Sequence, residues 1–229
     1  MILERHALVT NGAAPMLAKG QWQWQEMWKE LRAANPVSRL HGELVACYRE
    51  PHRKYHTLQH LEECFSKFEE VRALARHPAE IELALWFHDA IYNVKRRDNE
   101  KKSADWARTS ALAAGTPEAA CDRVHALIMT TRHKAVPHGT DAELLVDVDL
   151  SILGAAPDRF DQYERQVREE YAWVPDFLYR RERRAILKDF LAHPRIFSST
   201  HFRSRYEQQA RANIKRSIEQ LGAWRRRRN

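Results

Sequence analysis

Imidazole and carboxylate side chains recur along this sequence in an order that suits a metal site. His60 is followed by the adjacent residues His88 and Asp89, and later by Asp149. Imidazole nitrogens and carboxylate oxygens together bind divalent transition metals or magnesium. Such a metal lowers the pKa of a bound water from about 15.7 toward neutrality and binds a phosphoryl oxygen. The four residues therefore predict metal-assisted hydrolysis that needs neither a Ser nor a Cys nucleophile.

The central pair lies in an apolar stretch. The segment Trp86–Tyr92 reads WFHDAIY, in which His88 and Asp89 are the two polar ligands. Taken alone, a His on an apolar helix face is more often a hydrogen-bonded core residue. Burying an unpaired carboxylate is costly, however, and a metal would satisfy both groups. Adjacent helical residues point about 100° apart, so both reach one metal only if it lies in a groove beside the helix.

Two further residues are alternatives or additions to this set. Asp147 competes with Asp149 as the last ligand, because the two point roughly 200° apart on a helix and cannot easily face the same metal. We favour Asp149. His56 lies one turn before His60 and is either a further ligand, a substrate contact or a residue preceding a helix cap.

The ligands fall on separate predicted helices. Apolar residues recur at helical spacing along the chain, and strand signals are almost absent. Thr57 is predicted to cap a helix with His60 in its first turn, and Pro78 to open the helix that carries His88. No linker rich in Ser, Gly or Pro divides the sequence. We therefore predict an all-α, single-domain helical bundle over residues 1–229.

The segment that carries Asp147 and Asp149 is predicted to form a helix of its own. Thr140 and Glu143 match the capping-box pattern at its start. Gly154 is the type of residue that ends a helix.

Charge and hydropathy limit the classes of partner. Lys and Arg outnumber Asp and Glu by 38 to 31, which favours phosphorylated metabolites or nucleic acid as partners. No nucleic-acid reading motif accompanies the charge, and the run Arg225–Arg228 is more typical of a solvated tail. No apolar run approaches the roughly 20 residues that span a bilayer, and the first residues do not resemble a signal peptide. We expect no membrane partner and a cytoplasmic location.

The three cysteines do not suggest a site of their own. Cys47, Cys64 and Cys121 are widely spaced and form no CxxC pair. This argues against a disulfide framework and against a thiolate zinc site. We interpret them as small buried apolar residues.

Several of these segments resemble a known family. The sequences YHTLQH at 55–60, WFHDAIY at 86–92 and DVDLSILG at 147–154 resemble a predicted metal-dependent branch of the HD phosphohydrolase superfamily. That superfamily has a first His, an HD pair and a later Asp around a metal in a helical core. The resemblance covers about residues 50–155, which implies an HD-type core with a C-terminal helical extension over about residues 156–229.

The resemblance assigns roles to individual residues. It implies that His60 is the first ligand, that His88 and Asp89 are ligands with a catalytic role, and that Asp149 is the last ligand. The metal is a divalent ion, with Mn, Mg, Fe, Ni, Co and Zn all open. Further residues that match the family or its second-metal positions, and that otherwise read as surface or loop residues, are Asn99, Glu100, His133 and His138.

The expected reaction is hydrolysis of a phosphate ester, either a nucleotide or another small phosphorylated metabolite. Phosphate recognition needs cationic donors near the metal. The nearest by sequence are Arg53, Lys54, Lys95 and Arg132. The main alternative is a non-catalytic module that binds a metal and a nucleotide, and nucleic-acid binding is the third. The sequence leaves the number of metal ions and the oligomeric state open.

Overall fold

The computed structural model describes residues 24–35, 38–133 and 135–223. Within these residues the chain folds into helices joined by short turns, and no strand occurs among them, which confirms the all-α prediction. The α-helices are α1 (24–30), α2 (Leu40–Cys47), α3 (Leu58–Glu69), α4 (Pro78–Phe87), α5 (Asn99–Ala113), α6 (Glu118–Thr130), α7 (Thr140–Asp149), α8 (Pro157–Glu170), α9 (Asp176–Ala192) and α10 (Thr200–Ala223).

Helix α4 is the centre of the molecule. It begins at Pro78, as predicted, because proline suits the first helical position. Every residue from 79 to 87 is buried, and α3, α5, α6 and α7 pack around the helix. Apart from Glu80 and Glu82, which are paired with arginines, α4 is apolar on all sides, and such a helix belongs inside a protein. His88 and Asp89, which directly follow α4, therefore lie in the interior.

The helices on either side of α4 bring the other predicted ligands inward. Helix α3 buries His60, Leu61, Cys64 and Phe68 along one face. Thr57 occupies the position before α3, but its hydroxyl makes no capping bond to that helix. The hydroxyl lies instead 3.4 Å from the carbonyl oxygen of Tyr55, and this local contact competes with capping.

The capping prediction for α7 is wrong. Thr140 is already the first helical residue, so its hydroxyl is not placed to cap the helix with Glu143. Gly139 occupies the cap position with a φ of 92°, a conformation that favours glycine. Helix α7 also ends at Asp149, before Gly154, and the intervening residues form a 3₁₀ turn.

The C-terminal helices are joined to this core. Buried apolar residues from α1 to α10 form one continuous cluster. The side-chain amide of Asn213 on α10 donates hydrogen bonds to the carbonyl oxygens of Leu153, at 2.9 Å, and Ala155, at 2.8 Å. These bonds fix the turn that follows Asp149. Arg225–Arg228 lie outside the described residues.

Membrane spanning was tested over the described helices. None of them combines the length and the apolar character that a bilayer crossing requires.

Candidate metal centre

The four predicted ligands lie close together between α3, α4 and α7, with both carboxylates next to the two imidazoles. The Nε2 atoms of His60 and His88 lie 3.1 Å apart, and Oδ2 of Asp89 lies 3.1 Å from Nε2 of His88. Oδ1 of Asp149 lies 3.5 Å from Nε2 of His60 and 3.7 Å from Nε2 of His88. Ligand atoms at about 2.0–2.2 Å from a common ion are themselves about 3–3.5 Å apart. The spacing therefore fits a divalent ion.

The charges of the centre favour a cation. Asp89 and Asp149 have side chains only 19% and 14% exposed, and within the described part of the chain their ionic partners are histidines rather than Arg or Lys. Burial alone would raise the pKa of Asp89, but the neighbouring His88 and His56, among others, hold it well below its usual range. Two buried negative charges without a permanent positive partner are costly, and a metal ion supplies that partner.

The pKa of His60 shows that the centre also favours positive charge. Burial would lower the pKa of His60, but Cys64, Tyr55 and the aspartates Asp149 and Asp89 outweigh it and raise that pKa well above its usual range. The environment thus stabilises positive charge at the position where the four side chains meet.

The orientation of His88 is set by the helix that it follows. Its Nδ1 lies 2.8 Å from the carbonyl oxygen of Leu85, which can only accept a hydrogen bond, so Nδ1 carries the proton. In the neutral ring Nε2 then has a free lone pair that points at the centre. Fixing the outer nitrogen of a ligand histidine in this way is usual in metal sites.

Cys64 was not predicted to belong to the centre. Donor atoms of His60, Cys64, His88 and Asp149 lie within 4.8 Å of one another, and this group could hold a metal ion. Asp89 is not in this group, although its Oδ2 lies 3.1 Å from Nε2 of His88 and 3.6 Å from Nε2 of His60. The Sγ of Cys64 is 3.7 Å from both ring nitrogens of His60. Burial raises the pKa of the Cys64 thiol, whereas a metal ion coordinated by this thiol would deprotonate it.

A cleft of about 530 Å³ opens beside the centre, and Asp89 and Asp149 both line it. It is large enough for a small metabolite or a nucleotide. Oδ2 of Asp149 lies 3.1 Å from Nε2 of His133 at the cleft, whereas Oδ1 faces the two buried histidines. The carboxylate of Asp149 therefore reaches the buried centre and the cleft at once. The other predicted residues that line the cleft are His56, Asn99 and Glu100.

Asn99 has a structural contact at the rim of the cleft. Its side-chain amide donates to the carbonyl oxygen of Asn93 at 2.9 Å, and its Oδ1 accepts from the backbone N–H of Asn93 at 3.2 Å. The loop after the HD pair is fixed by these two bonds.

Two predicted residues do not reach the centre. Asp147 is fully buried, and its carboxylate accepts hydrogen bonds of 2.7 Å from the backbone N–H groups of Ser198 and Ser199. The assignment of Asp147 as a metal or substrate contact is therefore wrong, because α7 turns it toward the start of α10. His138 lines a different pocket, together with Arg123.

The prediction that Arg53 binds phosphate is wrong. Its side chain is fully buried, and the guanidinium donates to the carbonyl oxygens of His56, Asp89 and Ala90. Carbonyl groups beyond the end of a helix need donors, and Arg53 satisfies those that follow α4.

The other three phosphate candidates do not line the cleft, whereas Arg183 of α9 does. Arg183 donates to the hydroxyl of Tyr163 at 2.6 Å and pairs with Glu164. Sequence reasoning missed Arg183, because charged residues on an amphipathic helix usually face solvent. The three candidates that lie away from the cleft are Lys54, Lys95 and Arg132.

Comparison with known proteins adds no relative. Neither a protein-family model, nor a curated protein, nor a solved structure matches this chain.

Proposed function

We propose that this chain is a metal-dependent phosphohydrolase of the HD type that cleaves a phosphate ester in the cleft. One observation carries the proposal: the carboxylates of Asp89 and Asp149 each lie 3.1–3.7 Å from the two buried imidazoles, without an Arg or Lys partner among the described residues. The cleft beside them has the volume of a small-ligand site.

The residues that would hold the metal are His60, His88, Asp89 and Asp149. When bound, a divalent ion supplies an acidified water and a Lewis acid for a phosphoryl oxygen. Two imidazoles among four donors favour Mn, Fe, Co, Ni or Zn over Mg.

The protein contributes orientation and charge around that ion. The carbonyl of Leu85 fixes the ring of His88. Asp149 and His133 place a carboxylate and an imidazole together at the cleft, where the imidazole can accept a proton. Arg183 supplies a guanidinium in the cleft wall, a group that suits an anionic substrate.

The first test is metal content. Wild type, His88→Ala and His138→Ala are loaded with each metal in turn, desalted and measured by elemental analysis. We expect one or two ions per chain in wild type and in His138→Ala, and their loss in His88→Ala. His138 is the matched control because it is an exposed histidine that lines another pocket.

The same samples are then assayed for phosphate release from a panel of nucleotides and other phosphate esters. Release that depends on the metal and disappears in His88→Ala supports the hydrolase. Stoichiometric metal without release from any ester contradicts catalysis and favours the binding module. Absence of metal after loading contradicts both.

A further inference from the structure

A buried carboxylate organises the loop that leads into α3. Oε1 of Glu170, the last residue of α8, accepts hydrogen bonds from the backbone N–H groups of Lys54, Tyr55 and His56 at 2.8, 2.8 and 3.0 Å. The side chain of Glu170 has no exposed surface. A carboxylate with three such donors is strongly held in its ionised form.

The second oxygen of Glu170 binds side chains of the cleft. Oε2 lies 2.8 Å from Nδ1 of His56 and accepts a 2.8 Å hydrogen bond from the hydroxyl of Tyr92. Although burial raises the pKa of Glu170, the hydrogen bond from His56 and the others lower it to about 2. Because an ionised carboxylate only accepts, Nδ1 of His56 must be the donor.

The ring of His56 is therefore fixed on two sides. Its centroid lies 4.2 Å from that of Tyr92, with 31° between the planes, and its Nδ1 is held by Glu170. No described residue hydrogen-bonds its other nitrogen, Nε2. The side chain is 22% exposed and lines the cleft with Asp89 and Asp149. Nε2 is thus a polar atom without a hydrogen-bond partner among the described residues, on a side chain that lines the cleft.

We infer that His56 contacts the phosphoryl group of the ligand in the cleft through Nε2, and that Glu170 is the positioning residue for this contact. The inference deepens the proposed function and rests on it for the reaction. A hydrogen bond from Nε2 to a phosphoryl oxygen puts a proton on both ring nitrogens. Glu170, hydrogen-bonded to Nδ1, is the anion that stabilises this doubly protonated ring.

Arg53 cannot take this role, since its guanidinium is used by backbone carbonyls. Arg183 and Arg96 also line the cleft, but Arg183 is bound to Tyr163 and Glu164, and Arg96 is paired with Asp98. His56 differs from them because its Nε2 has no hydrogen-bond partner among the described residues.

His56→Asn is the informative variant. The side-chain amide of Asn reaches about as far as Nδ1, so it can still donate to Glu170, but it places nothing at Nε2. The control is His52→Asn. His52 also lies parallel to the ring of Tyr92 and contacts its carbonyl oxygen, yet it is not among the residues that line the cleft.

The readout is the affinity of the Mn²⁺-loaded full chain for inorganic phosphate, measured by calorimetry with the metal content of each sample. We expect His56→Asn to weaken phosphate binding about tenfold, or about 1.4 kcal/mol, while its metal content and melting temperature stay at wild-type values. His52→Asn should bind phosphate as wild type does. Glu170→Gln should weaken binding too, because a neutral amide no longer stabilises the doubly protonated ring.

Three results overturn the inference: equal affinity in His56→Asn and wild type, no phosphate binding by wild type, or loss of metal together with phosphate in His56→Asn. The last would make His56 a metal ligand instead. Should Glu170→Gln fail to fold, the comparison of His56→Asn with His52→Asn decides alone. If phosphate binding depends on His56 but no ester is hydrolysed, the hydrolase proposal fails while the contact stands.

Discussion

Asp147 and Asp149 lie two residues apart on α7, and their carboxylates serve different parts of the molecule. The carboxylate of Asp147 accepts hydrogen bonds from the backbone N–H groups of Ser198 and Ser199, just before α10 begins. Asp149 faces the imidazoles of the metal centre. Residues so spaced point roughly 200° apart on a helix, which explains the division.

Alanine at these two positions should therefore have opposite consequences. Asp147→Ala leaves two backbone N–H groups near the start of α10 without their acceptor, which should cost about 2–3 kcal/mol in the free energy of unfolding. Its bound metal should stay near the wild-type value. Asp149→Ala should lose the metal and keep most of the metal-free stability. Urea unfolding and elemental analysis of both variants measure this. Metal loss in Asp147→Ala with normal stability would show that the two roles are reversed.

What could be predicted from the sequence was the local part of the structure. Helical spacing of apolar residues predicted the all-α class, and Pro78 predicted the start of α4, because both signals act within a few residues. The convergence of His60, His88, Asp89 and Asp149 depended on the resemblance as well, since periodicity alone does not state which helices pack together.

What could not be predicted depends on backbone groups that are distant in sequence. Glu170 binds N–H groups more than 100 residues earlier, and a backbone N–H has no sequence signature. Arg53 looked like a phosphate ligand, because nothing local shows that the carbonyls after α4 need its guanidinium. The thiol of Cys64 likewise acquires its neighbours only when α3 packs against α4 and α7.

His133 keeps its imidazole at the cleft at a cost in backbone conformation. Its φ is 49°, in the left-handed region that disfavours a residue with a Cβ atom. We predict that His133→Gly is more stable to urea than His133→Ala by about 1 kcal/mol, because only Gly relieves the strain. Both variants lose the contact with Asp149, so any catalytic or metal-binding defect should be the same in both. Equal stability of the two variants would refute a strained backbone here.

Glu170 should make stability depend on pH in the acid range. Its pKa falls from 4.5 to about 2 on folding, so the unfolded chain binds the proton more tightly. The stability that this carboxylate contributes is then fully present above about pH 4.5 and is lost as pH falls toward 2. At pH 7 it amounts to about 3 kcal/mol and at pH 3 to about 1.5 kcal/mol.

The measurement compares wild type with Glu170→Gln by urea unfolding at both pH values. Subtracting the unfolding free energy of the variant from that of wild type removes the contribution of the other carboxylates that titrate in the same pH range. The difference in unfolding free energy between wild type and Glu170→Gln should decrease by about half from pH 7 to pH 3. A gap that does not change with pH would mean that the pKa of Glu170 is not lowered on folding.

Gly154 is the point where the turn after Asp149 meets α10. A Cβ atom at this position would lie 2.7 Å from Cβ and 2.9 Å from the carbonyl oxygen of Tyr206, and both contacts are closer than a Cβ atom normally makes. Gly154→Ala should therefore cost about 1–3 kcal/mol in unfolding free energy, because the turn or α10 must move.

Gly42 is the matched control, since it lies inside α2 and a Cβ there meets nothing within 4 Å. Gly42→Ala should stabilise by about 0.5–1 kcal/mol through the higher helix propensity of Ala. The two variants should thus move the urea midpoint in opposite directions, and a shift in the same direction would contradict close packing at Gly154. Because this turn directly follows Asp149, Gly154→Ala should also weaken metal binding, whereas Gly42→Ala should leave it unchanged.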